Sequence, residues 1–357
     1  MILAGLLSIL ACAAALPGEP PPTTRSATPT SLPTDERLTL SLQRQLGPKF
    51  PGIATDHFII LSSADNRSTK EIIGSAEKAF AAVDEFVSRL QLPSHPPPFK
   101  MIVVLIRDWE SYEKVARRAR LTPDEAVPGF FDEGSNCCVL FDWHNSKLIL
   151  EKKKESKLGA AELEMYERLI DATVVRHEVA HQVLFNLGVL PPGDAVPSWL
   201  AEGLAMQFED DGPVNRYRYG DLRNLTLRNG RLRLKDLLSR PELMAPGSPR
   251  AQQAYATAWG LVYFLSQKEP EAFAKYLEAQ LPATQPAETS TKPGQATTQS
   301  MIREFEQAFG PLNDAFEMRW KEYIDSLKVA PVLGPPTSQP AGATSRPASA
   351  AGAPSTG

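Results

Sequence analysis

The sequence predicts an α+β domain, with a mixed sheet in its first half and a mainly helical second half. Three observations carry this. Between residues 57 and 143, short apolar runs of strand character alternate with stretches whose apolar residues recur at helical spacing. From residue 160 onward the apolar pattern is helical almost throughout. Within that second half, His177-Glu178-Val179-Ala180-His181 sets two imidazoles and a carboxylate on one helix.

The globular part is expected over residues 36–328. His57 to Ser62 reads as a strand. Ser68 is the expected cap of a helix from about Thr69 to Leu92, where Ile72, Ile73, Ala76, Ala79, Phe80, Val83, Phe86 and Leu90 share one face. Phe99 to Ile106 is a buried strand, followed by a helix through Trp109, Tyr112 and Val115. Val127 to Trp143 reads as a hairpin turning at Asp132–Asn136. Cys137 and Cys138 are neighbours on its returning strand, so they point to opposite faces and are expected as two buried or half-buried thiols, not a disulfide. A long central helix spans about Ala160 to Leu187, with Ile170, Val174, Leu184 and Phe185 on its histidine side. A short helix over Pro197–Ala205, with Ser198 as candidate N-cap, comes next. Leu225 to Leu234, with Asn229-Gly230 at its centre, gives a hairpin signal. Lys235–Ser239 and Ala251–Gln267 read as helices, and Met301–Leu327 as a terminal helical pair.

Chemistry concentrates in the central helix. Histidines four apart lie one turn above each other, and both rings can reach one ion at the ~2.0–2.1 Å of zinc–nitrogen bonds. Glu178 points beside such an ion and not at it, where it can take a proton from an attacking water. A third ligand is needed, and Glu202 on the next short helix is placed to supply it: the 20 intervening residues allow a turn and a return. Gly203 beside it permits close helix approach. The alternative reading of the same residues is two packed core histidines and a surface carboxylate. His57, His95 and His144 lie outside any ligand-spaced pair and are expected to be structural or surface residues.

HExxH followed by a short helix reading WLAEGLA (199–205) resembles the gluzincin zinc metallopeptidases of the peptidase MA-like group. It is especially similar to the M1-type aminopeptidases, whose stretch reads close to WLNEGFA and whose second histidine is followed by the same HQ…N pattern seen at His181, Gln182 and Asn186. The resemblance covers about residues 177–209. It implies a zincin-like domain with the metal site between its two lobes, Zn2+ held by His177, His181 and Glu202, Glu178 as general base, and a peptide or protein substrate. It also implies that Tyr255, opening the 251–267 helix, donates a hydrogen bond to the oxyanion. The bland alternative for Tyr255 is an amphipathic core face with Trp259 and Tyr263. The 127–143 hairpin would be the sheet edge that pairs with an extended substrate, or else a purely structural strand. No GxMEN-like segment is present, so aminopeptidase activity is not implied. The reading from a different class is a catalytically inactive zincin-like binding module at the cell envelope.

A net charge of −4 and a pI near 5.9 give no reason to expect a nucleic-acid partner. The basic runs at Lys152–Lys154 and Arg117-Arg118 read as solvated faces. Residues 1–16 are apolar and break into prolines, as a secretory leader does, with export as the expected address. Ile9-Leu10-Ala11-Cys12 also resembles a lipobox, which would place a lipid anchor on Cys12; ordinary cleavage after the alanines is the rival. Residues 17–35 read as a flexible linker, 282–300 as a low-complexity insertion and 329–357 as a Pro/Ala/Ser/Thr tail without the apolar content to fold.

Overall fold

The computed structural model describes residues 31–123, 128–145, 160–191, 196–245, 247–281 and 298–329, with the backbone alone for 160–171, 229 and 298. The leader with Cys12, most of the linker, nearly all of the 282–300 insertion, the 330–357 tail and the Lys152–Lys154 run lie outside the described residues. The last linker residues are within them: Leu32 is buried and its N–H donates to the Asp56 carbonyl at 2.8 Å.

The molecule is α+β, with an open five-stranded mixed sheet and a mainly helical part. The strands are β1 (Gly52–Ala54), β2 (Phe58–Ser62), β3 (Met101–Ile106), β4 (Gly129–Asp132) and β5 (Cys137–Phe141), in the order β1-β2-β3-β5-β4. The β2–β3 and β3–β5 pairs are parallel; the two outer pairs are antiparallel. The three central strands are buried at every position, which is why they read as continuous apolar runs without alternation. Alternate residues feed separate cores. Phe58, Ile60, Val103, Leu105 and Cys138 face α2 (Asn66–Arg89) and α4 (Ala160–Asn186). Ile59, Leu61, Ile102, Val104 and Cys137 face α1 (Glu36–Leu46) and α3 (Trp109–Arg118). Both thiols are free and buried.

The helical part comprises α5 (Ser198–Ala205), α6 (Arg216–Asn229), α7 (Leu234–Ser239), α8 (Ala251–Lys268), α9 (Pro270–Ala279), α10 (Thr298–Phe309) and α11 (Asp314–Ser326). The apolar α8 is its centre, packed against both α5 and α6. Among the described residues no helix is long and apolar enough to cross a membrane.

Several expectations are corrected. The 225–234 hairpin does not form: residues 216–229 are helical, and Asn229-Gly230 ends that helix. Asn215 caps its start, accepting from the Tyr217 and Arg218 N–H groups, and Gly230 takes a positive φ of 70° that glycine adopts without strain. The alternating Leu225-Thr226-Leu227-Arg228 misleads because Leu227 is 83% exposed and serves no core. Asp65, not Ser68, caps α2, accepting from the Arg67 and Ser68 N–H groups at 2.9 Å each. Ser198 is the first helical residue of α5, and Pro197 before it provides no side-chain cap. The elements α1, β1 and α9 have no counterpart in the sequence reading.

Candidate metal centre

Helix α4 is pinned to the sheet before it presents any chemistry. The Gln182 amide donates to the carbonyls of Ile102 (3.1 Å) and Asn136 (2.8 Å), and Asn186 and Asn136 exchange paired amide hydrogen bonds at 2.8 Å. Asn136 sits in the β4–β5 turn with φ of 52°, a conformation asparagine tolerates better than most side chains. The turn, the helix and the strand between them therefore form one hydrogen-bonded unit around His177–His181.

Helix α5 is positioned by close approach to α8. A Cβ at Gly203 would lie 2.6 Å from Val262 Cγ2 and 2.9 Å from the Ala258 carbonyl, so only glycine fits there. That contact sets α5 with the neighbouring Glu202 turned toward α4. His177 Nε2 lies 3.1 Å from Glu202 Oε2 and 3.2 Å from His181 Nε2, and His181 Nε2 is 3.8 Å from the same Glu202 oxygen. His177 and Glu202 are buried; His181 is partly exposed.

These three atoms meet the test for a shared cation. Zinc bonds of ~2.0–2.1 Å in a tetrahedron put neighbouring ligand atoms roughly 3.3–3.4 Å apart, close to the separations found here. The electrostatics agree. His177 Nδ1 is 3.0 Å from Glu209 Oε1, so in the neutral ring the proton on Nδ1 is donated to that carboxylate and Nε2 is left with its lone pair. The lone pairs of His177 and His181 then face an anionic oxygen across a buried gap, an arrangement that only a proton or a metal ion relieves. Burial works against ionisation of Glu202, yet the two imidazoles hold its carboxyl down to about 2. Burial likewise disfavours a charged His177, but hydrogen bonds to Glu202 and Glu209 push it up to about 10. The cluster is built to hold positive charge.

Glu178 is no part of that ligand set. Its Oε2 accepts the Phe131 N–H of β4 at 2.9 Å, and its buried Oε1 has no hydrogen-bond partner among the described residues. Burial pushes its carboxyl up to about 7, against the pull of His177 and His181. Gly129, two residues before Phe131, leaves room for it: a Cβ there would meet Val174 Cγ1 at 2.9 Å and Glu178 Cγ at 3.3 Å.

Tyr255 lies in α8 with its phenol buried and its hydroxyl without a partner among the described residues. Burial raises the phenol well above its ordinary value, and the Glu202 charge adds to this while Arg218 opposes it. The structure thus places Tyr255 within electrostatic reach of the cluster. The remaining histidines are apart from it. His57 bonds Glu77 at 2.6 Å and stacks on Phe80, His144 bonds Asp142 at 3.1 Å, and His95 packs beneath Gly188.

Two members of the site escaped the sequence reading. Glu209 takes a bidentate pair from Arg218, Nε at 2.8 Å and Nη2 at 2.6 Å, and a further hydrogen bond from Asn215 at 2.8 Å. Burial opposes its ionisation, but the Arg218 guanidinium holds its carboxyl down to about 2. Glu209 is the first of three consecutive acids, and nothing in that run distinguishes it from Asp210 and Asp211. It lies beyond the end of α5 at Ala205, so no helical spacing ties it to Glu202.

Residues 171–287 match the family model described as "Protein of unknown function (DUF1570)". The matched stretch is about a third of the chain and contains His177, Glu178, His181, Glu202, Glu209, Arg218 and Tyr255. A search of the curated proteins found no match.

Proposed function

We propose that this chain is a zinc-dependent hydrolase that cleaves peptide bonds, built on a zincin-like fold of the gluzincin type. The observation that carries the proposal is the convergence of His177, His181 and Glu202 while Glu178, a separate carboxylate, is held next to them by a backbone N–H. His177, His181 and Glu202 would hold the ion, with Glu209 and Arg218 fixing the His177 ring behind it. A bound zinc supplies Lewis acidity, polarising a carbonyl and easing deprotonation of water.

The chain's own groups do the rest. Glu178 takes the proton of the attacking water at Oε1, the oxygen left without a partner, while the Phe131 N–H keeps Oε2 in place. The same carboxyl then returns the proton to the leaving amine; a group of pKa near 7 suits both directions. Tyr255 donates its hydroxyl to the developing oxyanion, a contribution of roughly 10²–10³ in rate for one such donor. The apolar leader supports export as the address, with Cys12 a candidate lipid anchor.

One observation favours the second reading, a catalytically silent binding module. A proton on His177 can satisfy the cluster as a buried imidazolium between two carboxylates. The test is metal content with activity: zinc-loaded protein should hydrolyse peptides and lose that activity to a chelator. Protein that takes up no zinc and cleaves nothing would favour the binding module.

A further inference from the structure

Glu178 and Phe185 stand on one stripe of α4, seven residues and two turns apart. Both meet the same residue of β4. The Phe131 backbone N–H donates to Glu178, and the Phe131 ring lies against Phe185 with centroids 5.6 Å apart and planes inclined at 60°. Phe130, next to Phe131, is buried in the opposite core, so Phe131 is the β4 aromatic that faces the helix. Both rings of the pair are part-exposed, although Leu184 and Asn186 on either side of Phe185 are buried. The sheet order leaves β4 at its end, with one edge that no described strand pairs.

An end strand can accept an extended chain as an added strand, and alternate side chains of that chain then share one face. A chain so placed would run beside Phe131, whose N–H holds Glu178 and whose ring meets Phe185. Resting on the reading of this site as hydrolytic, we propose that Phe131 and Phe185 form the apolar wall of a substrate subsite, so that the enzyme prefers a large apolar or aromatic residue beside the scissile bond. Phe131 serves twice: its backbone positions the base and its ring selects the side chain.

The test separates binding from turnover. Full-length Glu178→Gln protein, zinc-loaded, is titrated with fluorescent peptides that differ at one position, carrying Phe, Leu, Ser or Asp. Binding should be roughly tenfold or more tighter for Phe and Leu, within the 10–200-fold that an apolar pocket provides. Adding Phe185→Ala should bring the ratio below about threefold, and Phe185→Arg should turn it toward Asp. Phe99→Ala, at an exposed phenylalanine before β3, should leave it unchanged. Equal binding of all four peptides, no binding, or an unaltered ratio in both Phe185 variants overturns the inference. Apolar-selective binding by a wild-type protein that cleaves none of these peptides would keep the subsite and sink the hydrolytic reading.

Discussion

At the scale of single residues, the proposed chemistry separates groups that would hold an ion from the group that would move a proton. Glu178→Gln keeps the acceptor for the Phe131 N–H and leaves the ligands alone. It should therefore retain zinc and lose roughly 10²–10⁴ in kcat, as metal analysis and peptide hydrolysis on one preparation would report. Wild-type turnover in that variant would remove Glu178 from the mechanism. Arg218→Met strands a buried Glu209 carboxylate. It should cost about 3–5 kcal/mol of stability by chemical denaturation and weaken zinc affinity about 10–100-fold by competition with a chelator. The metal-free protein has a pH signature of its own. His177, raised from 6.5 to about 10, contributes stability that is complete below 6.5 and lost as pH rises through about 10. Glu178, raised from 4.5 to about 7, acts in the same direction. Glu202 and Glu209, lowered to about 2, contribute above 4.5 and lose that contribution as pH falls toward 2. Chelated protein should thus melt highest at about pH 5 and progressively lower toward pH 9, with a shallower decline when zinc replaces the proton. Melting curves of parallel slope with and without zinc would contradict this.

At the scale of elements, the site depends on two approaches that only glycine permits. Gly203→Ala forces α5 away from Val262 and the Ala258 carbonyl. It should cost about 1–3 kcal/mol and lower zinc affinity, because Glu202 is the neighbouring residue. Unchanged stability and zinc affinity would show that α5 is free to shift. What the sequence disclosed follows the same physics. The central strands and α2, α4 and α8 are legible because burial on every face, or on one stripe, leaves a sustained apolar pattern. Helix α6 is illegible because Leu225 and Leu227 mimic a strand period while lying on a largely solvated surface. Its true markers are Asn215 at one end and Gly230 at the other. The grouping of His177 and His181 was legible from their four-residue spacing, and that of Glu202 from the short helix that follows, and the structure brings the three together. Glu209 and Arg218 were not legible, because their pairing depends on how the chain folds back after α5 and leaves no periodic trace.

At the scale of the whole molecule, the sheet and the helical part meet at α4. It packs on α2, on β4 and β5 of the sheet, and on α5. An ion shared by α4 and α5 would link the segment behind the sheet to the helical part, so metal should stabilise the fold as a whole. Zinc at a thousand times its dissociation constant adds about 4.1 kcal/mol to any state that alone binds it. The most direct measurement is zinc stoichiometry by elemental analysis on purified full-length protein, beside His181→Ala and Glu202→Ala. The proposed site predicts about one zinc per chain in the wild type and a large loss in each variant. A wild-type protein that stays metal-free after dialysis against zinc, or variants that bind it as well as the wild type does, would contradict it.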